Sequence, residues 1–351
     1  MNAHTDNDVE LTQVREQHRF DEKKLRSYLQ KHIDGNFETM EILQFEGGQS
    51  NPTFQISIPE RSFVLRKKPP GKLLKSAHQV DREYRVMSAL RHTDVPVPET
   101  LHLCEDESII GTAFFVMDMV QGRVLKDTHL PSFSPDERSR LYRSFIESGA
   151  ALHRVDYQSV GLTTFGRSGN YYARQVHRWS QQYIASETQK NESMDAMIAW
   201  LPSNIPESEE TSIVHGDFRI PNCIIHPTEP KIIALLDWEL STIGHPLADL
   251  SYWCSGLFHG DTEFPENYKE LGLMSEQEGL DLYCELTHRP PIENWNFYVA
   301  FNLFRSAAIR QGVYKRGLDG NASSDQWQET GGGAMRAAHR AWNLVQEAGL
   351  A

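Results

Sequence analysis

A chain of 351 residues exceeds one ordinary domain, so two domains or lobes are expected, and 39% hydrophobic with 24% charged residues is the make-up of a globular protein with a sizeable core. The formal net charge of −13, from 35 Lys and Arg against 48 Asp and Glu, argues against nucleic acid or an anionic membrane as the main partner. No apolar run approaches the ~18 residues that span a bilayer, and the polar, acidic start Met1–Glu10 does not read as a signal peptide, so a cytoplasmic location is expected.

Residues 1–17 read as a solvated tail. After Asp21, a favoured N-cap type, Leu25, Tyr28, Leu29, His32 and Ile33 recur at helical spacing, and Asp34-Gly35-Asn36 ends that helix. Glu41–Phe45 and Thr53–Ile58 read as strands around the loop Gly47-Gly48-Gln49-Ser50-Asn51. Such a loop can lay backbone N–H groups over phosphates. The third glycine of G-x-G-x-x-G is absent, however, and a ligand-free Gly-Gly turn fits equally well. Ser62–Lys68 is a third strand. Alternation puts Val64 and Arg66 on one of its faces, at the positions of alanine and lysine in V-A-I-K. An arginine there can bridge phosphates and pair with a carboxylate, whereas basic residues at strand ends are commonly just solvated.

Pro69-Pro70-Gly71 breaks this strand, and a helix from about Ala77 to Arg91 carries Glu83, the natural partner for Arg66. Thr100–Cys104 and Thr112–Val120 complete a small sheet, and Gly122 marks a hinge into more helical sequence. Ser134-Pro135-Asp136-Glu137 is a capping box with proline at the first helical position. Helices are then expected over 171–200 with a break near Asn191, from 246–249 onward, and over 275–286, 293–314 and 333–347. Cys104, Cys223, Cys254 and Cys284 lie far apart without a C-x-x-C pair and read as reduced thiols. Cys223 and His226 lack a second ligand pair at zinc spacing.

The chemistry concentrates in residues 213–250. Cys223–Ile225 and Ile232–Leu236 flank a turn at His226-Pro227, the pattern of a β-hairpin. Closing it brings Asn222 and Asp237 together, with Asp217 one tight loop away. His215 precedes Asp217 by two residues and Asn222 follows it by five, the H-x-D-x-x-x-x-N spacing of a kinase catalytic loop. Phosphoryl transfer needs this set: one carboxylate orients the attacking hydroxyl, while a second carboxylate and an amide oxygen hold Mg²⁺ on the phosphates. A hairpin whose Asp and Asn serve only its turns would have the same composition, but order, spacing and flanking strands agree on the catalytic reading.

With these residues in place, the chain resembles the aminoglycoside phosphotransferase and choline kinase group of small-molecule kinases. Within that group it is most similar to the kinase-like domains associated with acyl-CoA dehydrogenases. The wider likeness runs through Gly47–Asn51, Val64-Leu65-Arg66, Glu83, Met117–Val120, His215-Gly216-Asp217 to Asn222, Asp237 and Gly244–Asp249. The closer one rests on the segments Gly47–Phe54, Val64–Gly71 and Asp237–Leu240.

The resemblance implies an α+β, protein-kinase-like bilobal fold. Its nucleotide-binding N-lobe would cover 18–121, built on a small antiparallel sheet, and its mostly helical C-lobe 122–351. It implies ATP and Mg²⁺ as cofactors, with Gly47, Gly48, Ser50, Asn51, Val64, Arg66 and Glu83 around the nucleotide and the backbone of Asp118, Met119 and Val120 at its adenine. Asp217 would orient the acceptor hydroxyl and take its proton, and Asn222 and Asp237 would ligate Mg²⁺. Arg219 would stabilise the transferring group, although its spacing alone suits a surface role equally. His215 would support the loop by hydrogen bonds, and Asp249 would cap backbone N–H groups of its own helix or of the loop.

Three positions depart from the family pattern. Arg66 stands where lysine is frequent. Asp237-Trp238-Glu239 replaces Asp-Phe-Gly, which removes any inference of an activation-loop switch. His245 stands where Asp commonly precedes Pro246, and neither it nor Glu239 has an account from the sequence.

The expected activity is ATP-dependent phosphorylation of a hydroxyl on a small molecule. The closer likeness points to a hydroxyacyl group or its CoA thioester, with the basic stretch Arg66–Lys75, Arg305 and Arg310 as candidate contacts. The acidic balance would suit a cationic aminoglycoside or an amino alcohol such as choline instead. A kinase-like fold that binds nucleotide without transfer is the non-enzymatic alternative, opposed by the intact Asp217, Asn222 and Asp237.

Overall fold

The computed structural model describes residues 10–46, 51–69, 79–207, 210–320 and 327–351. Gly47, Gly48 and Ser50 therefore lie outside the described residues, as do residues 70–75 of the basic stretch. The chain divides into two compact units. Met1–Ala151, Gln158–Phe165 and Arg219–Ser241 form the first; Leu152–Tyr157, Gly166–Phe218 and Thr242–Ala351 form the second.

The first unit is built on a six-stranded antiparallel sheet of β1 (Leu11–Thr12), β2 (Glu41–Phe45), β3 (Thr53–Ser57), β4 (Ser62–Lys67), β5 (Thr100–Cys104) and β6 (Phe114–Asp118), in the order β1-β2-β3-β4-β6-β5. The strand β1 corrects the expectation of a solvated tail over 1–17: Leu11 and Thr12 pair with Phe45 and Gln44. Two residues carry no readable alternation, and the buried Gln44 side chain, which accepts the Arg15 N–H at 3.0 Å, helps fix them.

Strand alternation then sorts the sheet into two faces. Phe54, Ile56, Phe63, Leu65, Phe114 and Val116 share the face that packs with Leu25 and Leu29 of α1 (Glu22–His32). Each such fully buried side chain contributes roughly 1.5–3 kcal/mol. Asp21 caps α1 as expected, accepting the Lys24 N–H at 3.0 Å. The other face carries Val64 and Arg66 with Phe115 and Met117, and receives α2 (Val80–Leu90) through Tyr84, whose ring lies 6.1 Å from that of Phe115. That packing buries Glu83 along with Val86 and Met87.

The capping box at Ser134 forms at the start of α3 (Pro135–Arg154): the Ser134 N–H donates to Glu137 Oε2 at 3.0 Å and the Glu137 N–H to Ser134 Oγ at 3.4 Å. The expected hairpin is present as β8 (Cys223–Ile225) and β9 (Ile232–Leu235). Arg123 and Ile225 exchange backbone hydrogen bonds of 2.8 Å. A Cβ at Gly122 would lie 2.4 Å from the Ile225 carbonyl oxygen, so only glycine lets the chain pass the hairpin there.

The second unit is mainly helical, with α4 (Tyr171–Ser186), α5 (Glu192–Trp200), α6 (Leu247–Leu257), α7 (Glu276–Thr287), α8 (Trp295–Leu318) and α9 (Trp327–Glu347). Asn191 accepts the Met194 N–H at 3.2 Å and so caps α5, which accounts for the expected break. The stripe Phe297, Phe301, Phe304, Ala308 and Gln311 on α8 is buried. A second pairing had no sequence signal: β7 (Ser212–Val214) and β10 (Thr242–Gly244) run antiparallel as a two-stranded ribbon. All four cysteines are free. No described helix is long and apolar enough to cross a membrane.

Candidate active site

In the first unit the face alternation of β4 delivers Arg66 to α2 and to the end of the hairpin. Arg66 Nε lies 3.3 Å from Glu83 Oε2, an ionic contact rather than an aligned hydrogen bond, and Nη2 donates to Asp237 Oδ1 at 3.1 Å. Asn51 completes the cluster: its Nδ2 donates to Glu83 Oε1 at 2.7 Å and to Glu239 Oε2 at 3.3 Å. Glu239 thus acquires a role, that of anchoring the residue which closes the glycine loop. Glu83 is 1% exposed, and removing it from water pushes its carboxyl up to about 7. The Asp237 and Glu239 carboxylates add to that rise, while Arg66 and Asn51 oppose it. Burial also acts against the Arg66 charge, but the neighbouring Glu83, Asp237 and Glu239 outweigh it and raise its pKa. The arginine is held charged, and the glutamate is where a proton comes and goes.

Hairpin closure sets Asn222 beside Asp237 as its pattern requires, because the Leu236 N–H donates to the Asn222 carbonyl at 2.8 Å. Asp237 follows β9 in the left-handed conformation with φ 66°, which aspartate and asparagine tolerate better than most residues. The next residue, Trp238, is fully buried and donates its indole N–H to the Leu235 carbonyl at 3.0 Å. A carboxylate and an amide oxygen at one hairpin end are hard donors of the kind that hold Mg²⁺ together with phosphate oxygens. Among the described residues no three His, Cys, Asp or Glu side chains gather as a metal cluster.

The expected hinge positions are not equivalent. The N–H groups of Asp118 and Met119 donate to the Glu99 carbonyl at 2.8 Å and the Ser62 carbonyl at 3.3 Å. Val64, on the Arg66 face, is buried.

In the second unit the loop His215-Gly216-Asp217 is tied down by Asp249 on α6. The Asp249 carboxylate accepts the His215 N–H at 2.6 Å and the Gly216 N–H at 2.8 Å, and His153 Nε2 lies 3.1 Å from it. Of the two caps considered from the sequence, the loop is thus the one Asp249 provides. Gly216 has φ 86°, so the turn calls for glycine. The half-buried Asp217 donates its N–H to His215 Nδ1 at 3.3 Å. Asp249 is fully buried, which taken alone raises its pKa; the hydrogen bond and charge of His153, the His215 charge and the Gly216 N–H outweigh this and hold it below the usual carboxylate range. His153, whose Nδ1 is 2.8 Å from the Tyr283 hydroxyl, has no signal in the sequence, since it lies 96 residues from Asp249. Arg219 is exposed, in the first unit.

His245 also finds an explanation here. Its Nδ1 accepts the Leu247 N–H at 3.2 Å, the first helical residue of α6, as an aspartate oxygen before a proline would. Its ring lies 5.3 Å from Tyr172 and 5.6 Å from Tyr298. Burial, then the positive charges of Arg289 and His153, push its pKa down to about 3.

Residues 41–283 match the model of the phosphotransferase enzyme family. The chain belongs to that family. It is 44% identical over 336 residues to acyl-CoA dehydrogenase family member 10 of Mus musculus, covering 94% of this chain and 31% of that protein. The chain spans less than half the length of such dehydrogenase-family relatives. A provisionally named aminoglycoside phosphotransferase of Ralstonia eutropha superposes with a TM-score of 0.85 at 44% identity, covering 94% of this chain and 99% of that one. A choline kinase of Cryptosporidium parvum shares the fold with a TM-score of 0.65 at 11% identity, over 94% and 98% of the two chains. The kinase-like α+β fold and the dehydrogenase-associated likeness expected from the motifs are both borne out, and the family is one of phosphotransferases.

Proposed function

We propose that the chain transfers the γ-phosphoryl group of ATP to an alcohol hydroxyl of a small molecule, with a hydroxyacyl chain, as free acid or CoA thioester, as the acceptor. The observation that carries the transfer is the setting of Arg66, a charged guanidinium spread between Glu83 and Asp237. Its planar fork can keep one carboxylate while meeting a phosphate oxygen. The likeness to dehydrogenase-family proteins supports the acyl acceptor.

Asn222 and Asp237 are the residues that would hold Mg²⁺, which when bound neutralises charge on the phosphate oxygens. Asp217 orients the acceptor hydroxyl and takes its proton on a carboxylate oxygen as the new O–P bond forms and the bond to the departing ADP oxygen breaks. Arg219 adds positive charge for the transferring group. The Val120 N–H donates to the purine, since its two predecessors donate within the sheet. His215 and Asp249 hold the loop that carries Asp217.

Incubation with Mg·ATP and pools of hydroxyacyl-CoAs, hydroxy acids, aminoglycosides and amino alcohols, read by mass spectrometry, tests the proposal. Asp217→Asn should lower turnover by ~10²–10⁴, and wild-type-like turnover would remove Asp217 from the mechanism. Phosphate appearing only on aminoglycosides would overturn the acyl acceptor. Stabilisation by Mg·ATP with no acceptor phosphorylated would favour a silent nucleotide-binding protein.

A further inference from the structure

Arg305 on α8 lies against the loop that carries Asp217. Its Nη2 donates to the Gly216 carbonyl at 3.0 Å, the carbonyl immediately before Asp217. Its guanidinium lies 5.3 Å from the Tyr252 ring and 5.7 Å from the Trp179 ring. Among the described residues no carboxylate stands within ion-pairing distance of it. Arg310, Arg336 and Arg340, by contrast, share Asp261, and Arg289 pairs with Glu210. Asp249, the buried acid on α6 that holds the same loop, is already committed to two N–H groups and His153.

Part-buried Arg174 is likewise held by backbone carbonyls, those of Gly169 and Arg167, so what sets Arg305 apart is its place, on the carbonyl before Asp217 and beside two aromatic rings. Aromatic faces attract a guanidinium but accept no charge-assisted hydrogen bond, and the Gly216 carbonyl satisfies only part of a five-donor fork. Burial pushes the nearby Tyr171 hydroxyl up to about 12; the charge of Arg305 pulls it down, that of Asp249 adds to the rise, and those of Arg174 and Arg178 also pull it down.

We propose that Arg305 determines acceptor specificity: its guanidinium receives an anionic group of the acceptor, a carboxylate or a phosphate, beside the loop that carries Asp217. Acidic hydroxy compounds are thereby selected over cationic amino alcohols and aminoglycosides. The inference rests on the phosphotransfer reading only in taking this loop as the acceptor side.

The test uses 3-hydroxybutyrate and 4-hydroxybutyrate, their CoA thioesters, the matching uncharged hydroxybutyramides, and choline. Binding is measured by calorimetry without nucleotide, and KM and kcat with Mg·ATP. The acids or the thioesters should bind more tightly than the amides and choline. Arg305→Gln, which keeps N–H donors for Gly216, should weaken them roughly 10- to 100-fold, the worth of a charge-assisted bond, and change the amides far less; Arg305→Lys should retain most of the preference. Preference for the free acids assigns the anion to the carboxylate, and preference for the thioesters assigns it to CoA phosphate.

Two results would overturn the inference. One is that neither acids nor thioesters bind more tightly than their amides. The other is that Arg305→Gln lowers kcat equally for charged and uncharged acceptors, as a residue that only latches Gly216 would. If charge selection in binding is present and vanishes in Arg305→Gln while no compound is phosphorylated, the phosphotransfer reading fails and this one stands.

Discussion

The Asp249 carboxylate accepts two consecutive backbone N–H groups, from His215 at 2.6 Å and Gly216 at 2.8 Å, with His153 3.1 Å away. A fully buried carboxylate is tolerable only when so completely satisfied. An amide has one acceptor oxygen for those two donors, and its NH₂ would face an N–H. Asp249→Asn should therefore destabilise the protein by ~2–4 kcal/mol, read by denaturant unfolding, and reduce phosphotransfer beyond the loss of folded protein. Its folded pKa is depressed, so the contribution is present above the ordinary carboxylate range and is lost as pH falls through the lowered value. Wild-type unfolding in the variant would show that the charge is dispensable to the loop.

Arg66 reaches Glu83 through Nε and Asp237 through Nη2, two contacts that one ammonium cannot copy from the same strand position. Arg66→Lys should weaken nucleotide binding by about tenfold, or ~1.4 kcal/mol, and Arg66→Ala by more. Calorimetry with a non-hydrolysable ATP analogue measures both. Unchanged affinity in Arg66→Lys would mean that the fork is not what the site uses.

Glu83 gives the protein an unusual pH dependence. Its folded pKa, about 7, lies above the ordinary 4.5, so its contribution is fully present below 4.5 and lost as pH rises through 7. The upper limit of that loss is on the order of 3 kcal/mol. In a His245→Asn background, which removes an opposing titration, Glu83→Gln should flatten the fall in melting temperature across this window. A fall of the same slope in the double variant would place the titrating group elsewhere.

His245 acts in the opposite sense. It is neutral in the fold with a pKa near 3 against an ordinary 6.5, so its contribution is present above 6.5 and lost as pH falls toward 3. Between 4.5 and 6.5 the two residues oppose each other, and the wild-type profile should be nearly level there. His245→Asn keeps a neutral acceptor for the Leu247 N–H. It should unmask the Glu83 slope, with melting temperature falling steadily from pH 4.5 to 7. An unchanged profile in this variant would show that His245 does not titrate on unfolding.

Local signals in the sequence were legible wherever one element supplied them. The alternation of β4 set Arg66 and Val64 on one face, helical spacing put Glu83 opposite, and the turn at His226-Pro227 closed the hairpin that aligns Asn222 with Asp237. Contacts with no local pattern stayed hidden. β7 and β10 have three residues each, too few for a period, and they lie far apart in the chain. His153 meets Asp249 and Tyr283 only through helix packing, over 96 and 130 residues of chain. The burial of Glu83 is likewise a tertiary effect: on a charged helix it resembles a surface glutamate until α2 is laid on the sheet.

The left-handed backbone of Asp237, φ 66°, decides how its chemistry can be interrogated. Alanine at such a position adds a conformational penalty of ~1–2 kcal/mol to the loss of the carboxylate, so an inactive Asp237→Ala protein would confound a missing ligand with a distorted turn. Asparagine is nearly isosteric and accepts the same φ. Asp237→Asn is consequently the clean control for metal ligation, and comparing it with alanine and glycine at the same position separates geometry from charge.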